Sequence, residues 1–182
     1  MVRLGYTGER GFELLVRRSD AQVLWGLLTQ EFPVASYAAM DILRIEAGFI
    51  LYCNECPIGV TPMEMGLAQF AGDETDQSLS SRLKLACFTA RHGERPILWQ
   101  HPQSNPPRPT RGEIVVTSAC FSPLSQTILG LGYIHTEAVT AGTTFVDPLG
   151  EFDQITLCER SFFDPSKRIA RGEWTRECQP LY

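Results

Sequence analysis

The hydrophobic pattern of the first seventy residues predicts one strand followed by three helices. Apolar positions alternate across 12–17, which is typical of a strand, and Glu13 is a carboxylate within that run. Apolar residues spaced by three and four positions then predict helices over 20–31, 37–47 and 61–70. Glycines just before the strand indicate a turn, so the sequence opens inside a hairpin.

Residues with the chemistry of helix caps flank these periodic segments. Ser19 and Ser36 stand where the N-terminal caps of the first two helices are expected, and Gly48 stands at the left-handed position after the second. Thr61 is followed by Pro62 and then by a glutamate three residues after the threonine, the pattern of a capping box. The ends of the helices are therefore predicted as well as their apolar stripes.

Three charged residues, Asp41, Arg44 and Glu46, interrupt the apolar surface of the second predicted helix. Asp41 and Arg44 are three residues apart, a spacing that brings side chains together on a helix surface. We interpret them as an intrahelical ion pair, worth a few tenths of a kcal/mol.

The pattern changes after residue 70. Residues 71–82 are polar, lack aromatic side chains and predict a linker or surface loop. Four prolines make 101–110 an extended loop. Short aliphatic and β-branched runs, separated by glycine and proline, predict five strands, at 84–90, 112–118, 127–134, 142–147 and 153–159.

These elements predict an α+β protein with two parts and a tail. A partial α+β domain would cover 1–70, an antiparallel β-barrel 83–160, and a tail 161–182. The expected core of the barrel consists of Leu85, Cys87, Val115, Ile128, Leu131, Phe145, Ile155 and Leu157. A helix across 112–134 would contradict this architecture.

Composition and charge narrow the class of protein. The chain has 182 residues, of which 43% are hydrophobic and 20% charged, values that are ordinary for a globular domain. A net charge of −5 with scattered Lys and Arg argues against a nucleic-acid or anionic-membrane partner. No apolar run approaches the roughly 20 residues of a membrane span, and the first residues lack a signal-peptide pattern. The expected compartment is therefore the cytoplasm.

Two of the six cysteines, Cys53 and Cys56, form a C-x-x-C pair. A structural zinc site needs four ligands, and the three histidines show no matching spacing. A thioredoxin-like role would need a βαβ context that the sequence lacks. We expect two metal-free thiols, with a metal or redox role as the alternative.

Four stretches, in this order, resemble the aminomethyltransferase (T-protein) family of the glycine cleavage system. They are RLGYTGE at 3–9, continuing through Gly11 to Glu13; DILRIEAG at 41–48, with Leu51, Tyr52 and Asn54; TPME at 61–64, with Gly66 and Leu67; and the segment 112–133 with its GE, VTS, FSP and GY elements. Domains of sarcosine and dimethylglycine dehydrogenases share the same scaffold. The resemblance implies transfer of an aminomethyl group from a lipoyl carrier protein to tetrahydrofolate, with ammonia released and tetrahydrofolate acting as a substrate.

The resemblance also implies that the chain corresponds to the C-terminal half of the family, whose members are about twice as long. The catalytic aspartate of the family belongs to the other half, so no catalytic residue is assigned here. A truncated reading frame, a proteolytic fragment and a half-protein that needs a partner all remain open. A non-catalytic folate-fold module with an assembly or regulatory role is the alternative function.

Four positions are implied as folate-binding residues. Glu13 matches a glutamate that contacts the pterin ring; the residues alone favour a solvated or cross-strand paired carboxylate. Tyr6 matches a pocket tyrosine, with a core or rim aromatic as the alternative. Met40 stands where the family usually has arginine, and Phe49 where some members have tyrosine. Because of Met40 and Phe49 we expect weak tetrahydrofolate binding. Because the partial N-terminal domain would expose apolar faces, we also expect self-association through residues 1–60.

Overall fold

The computed structural model describes five stretches of the chain. They are residues 5–70, 82–91, 98–139, 143–160 and 162–173. The predicted linker at 71–82 lies outside the described residues, except for its last position.

Three helices occupy the N-terminal region: α1 (Arg18–Glu31), α2 (Tyr37–Glu46) and α3 (Tyr52–Glu55). The first predicted helix is confirmed, but its predicted cap is wrong. α1 begins before Ser19, whose hydroxyl donates to the Asp20 carboxylate at 2.8 Å. No residue of α1 is buried.

Both ends of α2 follow the sequence prediction. The Ser36 hydroxyl accepts the backbone N–H three residues later at 3.1 Å. At the other end Gly48 has a φ of 70°, and its N–H donates to the Ile45 carbonyl at 2.8 Å. The Phe49 N–H donates to the Arg44 carbonyl at 2.8 Å, which completes a Schellman motif.

The predicted strand at 12–17 is wrong. The segment is extended and exposed, and only Glu13 makes a bridge-type backbone pairing. A strand needs a neighbour along its length to pair its N–H and C=O groups. No strand of the described ranges runs beside this segment, so alternation of apolar residues alone does not make it one.

The predicted helix at 61–70 is a turn over 62–66 followed by a 3₁₀-helix, Ala68–Phe70. Its capping box is present: the Thr61 N–H donates to the Glu64 carboxylate at 2.9 Å. That carboxylate also accepts the Leu83 N–H at 3.2 Å, and the Glu64 carbonyl accepts the Leu85 N–H at 2.8 Å. These bonds to the sheet hold the turn short, and Gly66, with a φ of 73°, ends it.

The C-terminal part is a five-stranded antiparallel sheet in the order β2-β3-β4-β1-β5. Its strands are β1 (Leu83–Arg91), β2 (Leu98–Gln100), β3 (Ile114–Ser122), β4 (Thr127–His135) and β5 (Asp153–Cys158). The strands predicted at 84–90, 127–134 and 153–159 are confirmed, and that at 112–118 is displaced toward the C-terminus. The strand predicted at 142–147 is wrong: in its described part, Val146 makes a single parallel bridge to Glu113.

The sheet is open rather than a closed barrel. β2 and β5 are its edges, and no pairing joins them within the described ranges. Both faces of the sheet are nevertheless covered, by two hydrophobic clusters. One packs under the N-terminal region and the other under residues 145–155, so the core is divided between two layers instead of filling a barrel.

All but one of the predicted barrel-core residues are buried. Leu157, on the edge strand β5, is half-buried against the second cluster. A short helix, α4 (Arg168–Arg171), follows the sheet. Within the described stretches, no helix has both the length and the apolar character to cross a membrane.

Candidate functional site

The centre of the N-terminal region is a fully buried arginine. Arg44 has 0% exposure, and its Nε donates to the carboxylate of Asp41. Its Nη1 donates to the carbonyl of Phe49 and to the Glu55 carboxylate, both at 3.2 Å, and its Nη2 donates to Ser118 Oγ at 2.8 Å. The intrahelical ion pair predicted from the spacing is confirmed, and the buried guanidinium also joins α2 to α3 and to the sheet.

Glu55 is the second buried charge of this network, also at 0% exposure. One carboxylate oxygen accepts the Leu51 N–H at 2.5 Å and lies 3.2 Å from the Arg44 guanidinium. The other accepts the Thr117 hydroxyl at 2.9 Å and the Ser118 hydroxyl. Each buried charge thus has an opposite charge and several hydrogen bonds, the condition under which a buried ion pair is tolerated.

A β-bulge explains how two consecutive strand residues reach the same carboxylate. The register between β3 and β4 shifts between Val116 and Ser118, so Thr117 is the extra residue. Consecutive side chains of a regular strand point to opposite faces, and a bulge re-aims one of them. Here it turns both hydroxyls toward Glu55.

Tyr6 and Phe49 lie beside this network. Their ring centroids are 6.3 Å apart at an interplanar angle of 34°. The Tyr6 hydroxyl donates to the carbonyl of Ile50. Burial raises the pKa of Tyr6 to about 12; the charge of Arg44 opposes this rise and that of Glu55 adds to it, both by smaller amounts. Tyr6 is therefore a neutral donor fixed at the edge of the buried charges.

Gly8 allows the N-terminal turn to approach α2. Its φ is 75°, and a Cβ at this position would lie 2.5 Å from the Cβ of Ala47. Only glycine fits both the backbone conformation and the contact. The turn that carries Tyr6 is thereby packed against the end of α2.

Two cations from the end of the chain hold the loop after α2. The Lys167 ammonium donates to the Ala47 carbonyl at 2.8 Å and lies 4.4 Å from the centroid of the Phe49 ring. Burial lowers the pKa of Lys167. Arg160 donates to the carbonyls of Gly48 at 3.2 Å and Met65 at 2.5 Å. A cation therefore lies over one face of the Phe49 ring.

The four implied folate-binding residues do not all converge. The structure places Tyr6 and Phe49 together, whereas Glu13 is exposed on the extended segment before α1. Met40 is half-buried on α2, one turn before Arg44. The sequence interpretation missed the network of Arg44 and Glu55; its signal was a run of charged residues inside an otherwise apolar helix.

Among the clefts lined by the described residues, two are large enough to hold a ligand. One, of about 530 Å³, lies along β1 and β5 and is lined partly by Lys84, Cys158 and Arg160. The other, of about 430 Å³, is almost wholly apolar and lies between α2 and the turn after β3, with Glu46 as its charged residue. Among the residues that the structure describes, no group of three or more His, Cys, Asp or Glu side chains is arranged to hold a metal ion.

The chain is similar to known proteins in both sequence and fold. The family model described as GCVT N-terminal domain matches residues 1–73. An aminomethyltransferase of Corynebacterium aurimucosum is 48% identical over 80 residues, covering 41% of this chain and 22% of that protein. An aminomethyltransferase of Prochlorococcus marinus is 32% identical over 183 residues, covering 90% of this chain and 46% of that protein.

The chain belongs to the glycine cleavage T-protein family.

Its fold agrees with this family. The crystal structure of the glycine cleavage system aminomethyltransferase T from Bartonella henselae superposes with a TM-score of 0.68 at 23% identity. The alignment covers 89% of this chain and 49% of that one. The chain therefore spans half or less of the length of the family members it matches here.

Proposed function

We propose that the chain takes part in aminomethyl transfer to tetrahydrofolate. An aminomethyl group would come from a lipoyl carrier protein, ammonia would leave, and methylene-tetrahydrofolate would be the product. The observation that supports this best is the pair Tyr6 and Phe49, held beside the buried Arg44–Glu55 network in the stretches that resemble the family. We assign binding residues to this chain and no catalytic residue.

The chemistry of these side chains fits a pterin. The Tyr6 and Phe49 rings would supply apolar surface for a planar ring system, and the Lys167 ammonium lies over the Phe49 ring. Glu13 would accept paired hydrogen bonds from the aminopyrimidine edge, which charge assistance strengthens. Glu13 is exposed on an extended segment, so this contact requires the segment to lie against the ligand.

Met40 and Phe49 would make the site weak. A methionine supplies no charge and no donor at a position where the family usually has arginine. A phenylalanine keeps the ring contact and lacks a hydroxyl. Loss of one charged partner in a buried site typically costs on the order of 2–5 kcal/mol of binding free energy.

The complete reaction would require a protein of the full length of the matched relatives, of which this chain spans half or less. Positioning of the two substrates would provide much of the rate. A lipoyl carrier protein is the proposed donor partner.

Isothermal titration calorimetry with tetrahydrofolate on three variants tests the binding proposal. We expect weak binding by the unmodified chain, stronger binding by Met40→Arg and no measurable binding by Glu13→Ala. Leu15→Ala is the matched control, since Leu15 lies on the same exposed segment and is 80% exposed. Tight binding by the unmodified chain that Glu13→Ala leaves unchanged would show that the site is assigned to the wrong residues.

The exposed apolar surface of α1 favours a second function, a non-catalytic module used for assembly. Trp25 and Leu27 are each 58% exposed, and such surface typically marks an interaction site. Aminomethyl transfer assayed with a lipoyl carrier protein separates the two functions. Persistent folate binding with no turnover in the full-length family context would favour the module.

A further inference from the structure

Cys53 and Cys56 lie on one helical turn whose geometry is close to that of a disulfide. Cys53 is in α3, and Cys56 follows as its C-terminal cap with helical backbone angles, φ −85° and ψ −28°. Helix geometry places Cα atoms three residues apart at about 5 Å. Disulfides form when the Cα atoms are about 4.4–6.8 Å apart. The two thiols can therefore be joined with only local adjustment.

The two thiols differ in their access to solvent. Cys53 is exposed, and its thiol donates to the side-chain oxygen of Asn54 at 3.3 Å. Cys56 is half-buried, with its sulfur 3.6 Å from that of Met65, and burial raises its pKa. An external reagent thus meets Cys53 first, and Cys56 is the inner partner.

The turn is also connected to the candidate site. Glu55, between the two cysteines, binds Arg44 and the Leu51 N–H. The Asn54 amide donates to Ser118 Oγ at 3.2 Å. Tyr6 lies close enough that a charge on Cys53 contributes to raising the tyrosine pKa. A change in this turn therefore reaches both the buried network and Tyr6.

A second pair of cysteines is less suited to the same chemistry. Cys87 and Cys158 face each other across β1 and β5. However, Cys87 is only 1% exposed and Cys158 is half-buried, so neither thiol is fully open to a reagent. Of the cysteines that the structure describes, Cys53 alone is exposed.

We propose that Cys53 and Cys56 form a redox modification site, a dithiol that oxidised glutathione or a similar small-molecule disulfide converts to an intrachain disulfide. The Cys53 thiolate attacks one sulfur of the reagent, its S–S bond breaks, and one thiol of the reagent leaves. The Cys56 thiolate then attacks the Cys53 sulfur, forms the Cys53–Cys56 bond and releases the second thiol. Two electrons pass to the reagent, and the two cysteine protons end on the two released thiols.

Oxidation tightens the turn. Cβ atoms three residues apart on an α-helix are about 5–6 Å apart, whereas a disulfide needs about 3.5–4.5 Å. A 3₁₀ turn, in which side chains three apart eclipse each other, provides the shorter distance. The Asn54 N–H already donates to the Leu51 carbonyl three residues back, at 2.9 Å. Rewinding this turn displaces Glu55 from its partners, so the disulfide loosens the buried network.

Peptide mapping without reduction tests the site itself. The chain is incubated with oxidised glutathione at mildly alkaline pH, its remaining thiols are alkylated, and the digest is analysed by mass spectrometry. We expect a Cys53–Cys56 disulfide as the main product, with the loss of two alkylatable thiols per chain and reversal by dithiothreitol. Unreacted thiols at both positions, a stable glutathione adduct on Cys53 of the unmodified chain, or a different cysteine pairing would each overturn the proposal.

Single substitutions separate the two steps. Cys56→Ser is expected to accumulate a mixed disulfide between Cys53 and glutathione, and Cys53→Ser to form neither product. Cys120→Ala, at a buried position in β3, is the control and is expected to react as the unmodified chain does. A mixed disulfide on Cys56 in the Cys53→Ser variant would reverse the assigned order of attack and overturn this mechanism.

The expected effect of the disulfide on folate binding rests on the proposed function. Folate titration and urea unfolding measure this effect separately from the peptide mapping. Oxidised and reduced chains, freed of glutathione by gel filtration, are titrated with tetrahydrofolate and unfolded with urea. We expect the oxidised chain to show a lower urea midpoint and weaker binding. A lower midpoint with no folate binding in either form contradicts the proposed function alone. Equal midpoints despite a mapped disulfide contradict the link between the turn and the network.

Discussion

The Arg44 guanidinium donates to Ser118 Oγ at 2.8 Å, and the two residues are 74 positions apart in the sequence. This bond connects α2 to the β-bulge of β3. Because Arg44 also binds Asp41 and Glu55, one side chain joins the N-terminal region to the sheet. The stability of the whole described fold should therefore depend on it.

Replacing Arg44 with methionine removes the positive charge and leaves two carboxylates in the interior. Breaking a buried ion pair by removing one partner costs about 3–5 kcal/mol of unfolding free energy. We expect a loss in that range in urea unfolding. Arg111→Met is the control, because its ion pair with Glu137 is exposed and such pairs are worth about 0–1 kcal/mol. Equal losses for both variants would contradict the structural role of Arg44.

Gly8 and Gly26 should respond to alanine in opposite directions. A Cβ at Gly8 would meet Ala47 at 2.5 Å, and its φ of 75° disfavours any side chain. Overpacking and strain of this kind typically cost about 1–3 kcal/mol each. Gly26 lies inside α1 with no neighbouring atom within 4 Å of a Cβ, so alanine there should gain about 1 kcal/mol of helix propensity. Thermal unfolding of both variants measures the contrast, and a stabilised Gly8→Ala would show that the turn is not packed on α2.

Stability should fall with pH in the alkaline range because of Tyr6. Its pKa rises from 10.0 to about 12 on folding, mainly through burial. Between these values the folded state keeps a proton that the unfolded state has lost. The contribution of Tyr6 to the free energy of unfolding is therefore fully present below pH 10 and disappears as the pH rises through 12. Tyr6→Phe should reduce the loss seen in urea midpoints across this range. Tyr52→Phe, at a residue 81% exposed, should leave it unchanged.

The exposed apolar residues of the N-terminal region should cause self-association. Phe32 is 65% exposed, and Trp25 and Leu27 on α1 are each 58% exposed. We expect concentration-dependent dimers or larger species in sedimentation velocity, and a shift to monomer in a Trp25→Glu/Leu27→Glu variant. Leu149→Glu, at an exposed apolar residue outside this region, is the control. A monodisperse monomer with little binding of a hydrophobic dye would contradict the prediction.

The sequence predicts elements whose ends are encoded locally. Ser36 and Gly48 act on their own helix, so α2 could be placed from them, and the short runs of the sheet carry their own turn signals. The segments at 12–17 and 61–70 were assigned incorrectly because a neighbour decides their conformation. The first has no paired strand among the residues that the structure describes, and hydrogen bonds from β1 shorten the second.

The buried network could not be predicted in the same way. The spacing of Asp41 and Arg44 is the same for a surface pair and for a buried one. What distinguishes them is the contact with Glu55 and Ser118, which the bulge at Thr117 makes possible. A one-residue shift in strand register leaves no signal in a single sequence.

The two carbonyls after α2 have a consequence for how the protein is made. Lys167 binds the Ala47 carbonyl and Arg160 binds that of Gly48, across 120 and 112 residues of sequence. On the ribosome, α2 emerges long before either cation has been synthesised. The contact of Lys167 over the ring of Phe49 therefore cannot form while the sheet is being translated, and it is among the last parts of the described fold to be completed.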